Sequence, residues 1–269
     1  MDNRAIGVFD SGLGGLTAVK EIIRLLPQEK VVYFGDTARV PYGSHDRETI
    51  IKFSRQDLSF LLSKDVKTVL IACGTASSTA LGVLRKETDV PIFGVVDPAV
   101  RAAMAATRNG RIAILATHAT IKSHAYGDRI KAASPRLETL EVACPLFVPL
   151  VENGYIAPGD PITSLVAAEY ARKVFEFGAD TVILGCTHYP IIRECIARQL
   201  PHVTLIEAGQ EAVRELKAYL DENGLHAENG TGERSYYASE TVEQFVSIGR
   251  IFLNNEDFSN AKQIDIDSF

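Results

Sequence analysis

The chain has 269 residues, of which 46% are apolar and 23% charged, and its formal net charge is −6. That length builds one large domain or two ordinary ones with folded-globule composition, and an acidic balance without a Lys/Arg run excludes the electrostatic footprint of a nucleic-acid binder. The apolar runs are too short to span a bilayer, and Met1-Asp2-Asn3-Arg4 leads straight into a strand with no signal peptide, so the expected location is the cytoplasm.

From the amino terminus, Ala5 to Phe9 reads as a buried strand ended by the glycine-rich turn Asp10-Ser11-Gly12-Leu13-Gly14-Gly15. Val19, Ile22, Ile23 and Leu26 then recur at helical spacing until Pro27. Val31 to Phe34 is a second strand. The loop after it, Gly35 to Gly43, is too rich in turn formers to be helical. A long helix presents Ile50, Ile51, Ser54, Leu58, Leu61 and Leu62 on one face. The strand Thr68-Val69-Leu70-Ile71-Ala72 delivers Cys73, and a helix over about 77–86 and a strand over 92–96 follow.

The pattern then restarts. Arg111 to Leu115 is a strand ending in Ala116-Thr117-His118-Ala119-Thr120, and after a helical stretch Leu137 to Ala143 is another. Cys144-Pro145 opens a long loop through Pro149, Glu152, Asn153 and Gly154. A helix over about 161–177 precedes Thr181-Val182-Ile183-Leu184-Gly185-Cys186, a near-copy of the first cysteine strand. A helix and the strand Val203 to Ile206 close the set. The remainder holds a helix over 210–222, a strand over 235–238 and a helix over 241–253, expected to fold back onto the first half.

The halves correspond strand by strand at an offset of about 105 to 115 residues. This predicts an α/β protein of two similar domains with largely parallel sheets, related by pseudo-twofold symmetry, with the site in the cleft between them. The boundaries are 1–97 plus 209–269 for the first domain and 98–208 for the second. Ligands of open parallel sheets bind beyond the strands' carboxyl ends, where the polar motifs lie. One cleft would then collect them, with a cysteine on each wall.

Gly12, Gly14 and Gly15 do not complete a dinucleotide fingerprint, because position 17 is Thr, and they read as a tight strand-to-helix turn. The four cysteines contain no C-x-x-C pair and the six histidines no H-E-x-x-H, so neither a disulfide framework nor a metal site is expected. Cys144 and Cys195 read as packing residues, Cys144 at most lining the cleft. His45, His202 and His226 read as ordinary structural or solvated histidines. Cys73 and Cys186 differ, since each follows a strand and precedes a helix start, where the helix dipole lowers a thiol pKa. His188, two residues after Cys186, is placed to polarise a thiol. Two facing thiols suit proton removal from one face of a carbon acid and return to the other. A redox pair would normally sit in one C-x-x-C segment, and a cysteine hydrolase needs one thiol.

In combination, Asp10 to Gly15, Gly35 to Gly43, Ala72-Cys73-Gly74-Thr75-Ala76, Glu152-Asn153-Gly154 and Gly185-Cys186-Thr187-His188-Tyr189-Pro190 resemble the glutamate racemase family, within the cofactor-independent aspartate/glutamate racemase superfamily. The resemblance implies interconversion of L- and D-glutamate, supplying D-glutamate for peptidoglycan, without metal or pyridoxal phosphate and commonly in a homodimer. It implies Cys73 as the base for D-glutamate and Cys186 for L-glutamate, assisted by Asp10, His188 and Glu152. Substrate contacts would come from Asp10, Ser11, Pro41, Tyr42, Gly43, Gly74, Thr75, Thr117, Thr120, Thr187 and His188. The family usually carries Asn after the first cysteine. Gly74 here lacks that amide and keeps a backbone N–H, so Gly74→Asn is expected to alter mainly KM. Two other readings are a racemase of the same fold acting on aspartate or another acidic substrate, and a binding protein that retains the cleft.

Overall fold

Ile6, Val8 and Phe9 of the first strand have no exposed surface, nor have Ile112, Ala113 and Ile114 of its counterpart. Strands covered on both faces need continuous apolar runs, and each such side chain contributes roughly 1.5–3 kcal/mol on burial. The computed structural model describes residues 1–228, 230–240, 242–253, 258 and 260–269.

In chain order, the first half runs β1 (Ile6–Asp10), α1 (Leu16–Leu25), β2 (Val31–Gly35), α2 (Arg47–Leu62), β3 (Thr68–Ile71), α3 (Gly74–Thr79), α4 (Leu81–Leu84), β4 (Ile92–Gly94) and α5 (Val96–Ala106). The second runs β5 (Arg111–Ala116), α6 (His118–Lys122), α7 (Ala125–Ala133), β6 (Glu138–Ala143), α8 (Phe147–Glu152), α9 (Pro161–Phe177), β7 (Thr181–Leu184), α10 (Arg193–Gln199) and β8 (Thr204–Glu207). The chain ends with α11 (Ala208–Asn223), β9 (Arg234–Ala238), α12 (Val242–Phe252) and β10 (Lys262–Gln263).

The strands form two sheets, ordered β10-β9-β2-β1-β3-β4 and β6-β5-β7-β8. Every pairing is parallel. Removing the last two strands from the larger sheet leaves the same winding as the smaller, and the registers repeat: Ile6 lies beside Thr68, and Ile112 beside Thr181. Each of those threonines begins a strand whose cysteine sits just past its end. β9 returns to pair with β2, Val31 beside Arg234, and α11 packs on α1 and α5.

Several elements differ from expectation. The helix expected over 77–86 starts at Gly74, because Cys73 caps it, and is interrupted at Ala80, where φ is −105°. The strand expected over 92–96 stops at Gly94, and α5, which the apolar periodicity did not suggest, begins at Val96. The loop expected after Cys144 contains α8, which ends at Glu152. Proline stands third in both α5 and α8, within the first turn, where a backbone N–H has no partner inside the helix and its loss is harmless. The loop over residues 35–43 forms two single 3-10 turns, Thr37–Arg39 and Tyr42–Ser44. Thr241, the first residue of the helix expected over 241–253, lies outside the described residues.

Candidate active site

The carboxyl ends of β1, β3, β5 and β7 open onto one cavity of about 520 Å³, within the roughly 300–1,000 Å³ range of small-molecule sites. Its lining includes Ser11, Pro41, Tyr42, Gly43, Cys73, Gly74, Thr75, Thr117, Glu152, Cys186, Thr187 and His188. Of the residues singled out in the sequence, Asp10 and Thr120 do not line it. Asp10 is wholly buried behind the wall, accepting from the Gly12 N–H at 3.1 Å, with the Thr187 hydroxyl at 3.5 Å. Thr120 stands behind Thr117, in a ring of three hydroxyls with Thr75: 3.0 Å from Thr75 to Thr117, 3.2 Å from Thr75 to Thr120 and 3.0 Å from Thr117 to Thr120. That ring joins one wall to the other.

Cys73 is the cap of α3: its sulfur accepts the Ala76 N–H at 3.4 Å and donates to the Ser11 hydroxyl at 3.5 Å. The expectation that a helix start would lower this thiol's pKa is corrected. Burial and the nearby Asp10 carboxylate push Cys73 up to about 12, outweighing the Ala76 and Ser11 hydrogen bonds. A six-residue helix supplies too few aligned peptides to compete. Burial likewise raises the Asp10 carboxyl, against the opposing charge of His188.

Cys186 has a different neighbour. Its sulfur lies 3.9 Å from His188 Nδ1, and His188 Nε2 lies 3.1 Å from the Glu152 carboxylate. Burial works against charge on His188, but Cys186 and Glu152 overcome it and raise the imidazole to about 10. The Phe252 ring from α12 stands edge-on to the imidazole at 5.9 Å. The helix after Cys186 is a 3-10 turn, Tyr189–Ile192, that leads into α10.

The tyrosine of the Pro41-Tyr42-Gly43 wall is anchored from behind. Its hydroxyl lies 2.5 Å from an Asp36 oxygen and 2.8 Å from an Asp57 oxygen, and Arg39 bridges the two carboxyls. A hydroxyl has one hydrogen, so it cannot donate to both. Burial and the Asp36 charge hold Asp57 well above the ordinary carboxyl range. The fold thus favours the protonated form of Asp57 beside the Tyr42 hydroxyl.

Sequence reasoning did not assign to the lining Val40, Ser44, His118, Pro145, Val148, Pro149 and Gly185. Three of these, Pro145, Val148 and Pro149, lie in or just before α8, and recognising that helix would have found them. Cys144 does reach the cavity, whereas Cys195 is buried with its sulfur directed at the Ala157 carbonyl. All four cysteines are free thiols. Among the described residues, no three His, Cys, Asp or Glu side chains group so as to hold a metal, and no helix is long and apolar enough to cross a membrane.

The Asp/Glu/Hydantoin racemase family model matches residues 6–216. A glutamate racemase of Geobacter metallireducens is 41% identical over 255 residues, 94% of each chain. One of Lactiplantibacillus plantarum is 40% identical over 270 residues, 99% of this chain and 98% of the relative. The crystal structure of glutamate racemase from Francisella tularensis in complex with D-glutamate superposes with a TM-score of 0.91 at 38% identity, covering all of both chains.

Proposed function

Because the chain belongs to the Asp/Glu/Hydantoin racemase family, we propose that it interconverts L- and D-glutamate without a cofactor, with Cys73 and Cys186 as opposed acid and base. The observation that carries this reading is that both thiols reach one cavity from equivalent ends of equivalent strands in two sheets. The relatives' names supply the substrate.

One sulfur, as thiolate, removes the α-proton, and the electron pair of the broken C–H bond stays on the substrate, delocalised toward its carboxylate. The other sulfur's S–H bond breaks, and that proton bonds to the opposite face of the carbon. The two sulfurs thus exchange protonation states in each turnover. With its pKa near 12, Cys73 rests as a thiol, the state needed to protonate on the path from L to D. Cys186 is then the base for L-glutamate, and His188 holds positive charge beside the sulfur that must become anionic. Glu152 supports His188 from α8, and Asp10 acts from behind the wall through Thr187. Ser11, Pro41, Tyr42, Gly43, Gly74, Thr75, Thr117 and Thr187 contact substrate, and Thr120 positions Thr117.

The same reading divides the chain into 1–97 with 209–269 and 98–208, supported by β9 pairing with β2. It also takes the protein to be a cytoplasmic homodimer supplying D-glutamate to peptidoglycan.

The test is L-glutamate in heavy water, sampled early. D-product should carry deuterium at Cα while recovered L-substrate stays protiated, and Cys73→Ser and Cys186→Ser should each lower racemisation by about 10³-fold or more. Equal labelling of both enantiomers, or near-normal racemisation by either variant, would overturn the two-thiol assignment.

A further inference from the structure

We propose that the Thr17 hydroxyl is a positioning group for the turn that carries Cys186 and His188, which it holds by donating to the Thr187 carbonyl between them; this rests on the racemase reading above. Thr17 is the residue that breaks the dinucleotide fingerprint, and it lies in the first turn of α1. Its hydroxyl is 2.8 Å from the Gly14 carbonyl and 3.1 Å from the Thr187 carbonyl, which lies beyond the end of β7 in the other sheet.

The turn after β7 cannot supply this donor from its own backbone. A 3-10 turn bonds each carbonyl to the N–H three residues on. The Tyr189 N–H reaches the Cys186 carbonyl at 3.2 Å, and the Ile191 N–H reaches the His188 carbonyl at 3.1 Å. The N–H between those two would serve Thr187, but residue 190 is proline and has none. Among the described residues, the Thr17 hydroxyl is the donor that meets this carbonyl. The Gly14 carbonyl also receives the Thr17 N–H, at 3.0 Å, and does not depend on the hydroxyl.

The Thr187 carbonyl shares its peptide plane with the His188 nitrogen, so fastening it fixes the direction in which His188 leaves the chain. Cys186 stands on the other side of Thr187, with its sulfur 3.9 Å from His188 Nδ1. The side chain of Thr187 is held from the same quarter, its hydroxyl 3.5 Å from the Asp10 carboxyl at the end of β1. The two turns touch without a side chain between them: a Cβ on Gly14 would lie 2.1 Å from Thr187 Oγ1 and 2.6 Å from His188 Nδ1. Loss of the Thr17 hydroxyl frees the Thr187 peptide to rotate, and a shift of about 1 Å at a reacting centre costs on the order of 10²-fold in rate.

The test compares Thr17→Val, which keeps the shape and removes the donor, and Thr17→Ser, which keeps the donor, with the unaltered protein in heavy water. Thr17→Val should lower kcat/KM about 5- to 30-fold in both directions, and Thr17→Ser should stay within about threefold. Deuterium entering recovered substrate, per racemised molecule, should rise at least about threefold with Thr17→Val when D-glutamate is supplied. Cys73 then still removes the proton and exchanges it with solvent, but the displaced Cys186 fails to protonate the opposite face, so Cys73 returns deuterium to the same face. With L-glutamate the ratio should not rise, because removal by Cys186 is itself the impaired step. The His188 ring signal in a proton–carbon spectrum, assigned by its loss in His188→Asn, should move in the Val variant and stay in place in the Ser variant.

The positioning role is overturned if Thr17→Val matches the unaltered protein, if Thr17→Ser is as impaired as Thr17→Val, or if the exchange ratio is unmoved or rises equally for both enantiomers. It is also overturned if Thr17→Val does not fold, because the hydroxyl would then serve the fold at large. An unaltered protein that does not racemise glutamate would instead overturn the functional reading, and the His188 signal would still decide whether Thr17 sets the turn.

Discussion

Tyr42 shows what a single proton can hold in place. Its hydroxyl lies between two buried carboxyls and orients the Pro41-Tyr42-Gly43 wall, and with one hydrogen on that hydroxyl a protonated Asp57 completes both contacts. Asp57→Asn keeps that donor in the amide and keeps an acceptor for Arg39, so its Tm should lie within about 2 °C of the unaltered protein. Asp57→Ala strips Arg39 and Tyr42 of a partner and should cost about 2 kcal/mol, or about 6 °C. Thermal melts at pH 7 check both, and an Asn variant as unstable as the Ala variant would mean that Asp57 is ionised. None of this was legible in the sequence. Asp36, Asp57 and Tyr42 lie on different elements, and only the fold brings them into hydrogen-bonding distance.

Helix α8 is the element whose placement matters most to the chemistry, because its last residue, Glu152, reaches His188. Glu152→Gln removes the carboxylate that helps hold His188 near pH 10. The imidazolium should then be lost at lower pH, moving the alkaline limb of kcat/KM for L-glutamate down by about one pH unit. A limb that does not move would separate His188 from the reacting thiol. The central strands β1, β3, β5 and β7 were readable because both faces of each are covered, leaving nearly uninterrupted apolar runs up to their polar ends. The duplicated Thr-Val start and terminal cysteine made Cys73 and Cys186 readable as a pair. Helices α5 and α8 were not readable, since Pro98 and Pro149 look like breakers when the first turn cannot be located from the chain alone. The raised pKa of Cys73 was hidden for a related reason, in that burial and the approach of Asp10 arise only on folding.

Across the whole molecule, the buried site links folding to alkaline pH. His188 titrates near 10 in the fold against 6.5 when unfolded, and Cys73 near 12 against 9.0. In both, folding favours the protonated form. His188 therefore contributes its full stability below about pH 6.5 and loses it as pH rises through 10, and Cys73 does so between 9 and 12. Melting temperature should decline from neutral pH to pH 10, and His188→Asn should flatten that decline; an equally steep curve for the variant would assign the loss to other groups. The larger sheet has a different consequence, one of time. The slot beside β2 is filled by β9, about 200 residues downstream, Val31 beside Arg234. A chain emerging from the ribosome can wind β1 to β4 early, yet until Ala238 has been synthesised it carries a bare strand edge. At translation speeds of about 5–20 residues per second that edge stays open for roughly ten seconds or more, and the nascent chain has to be kept from its neighbours over that interval.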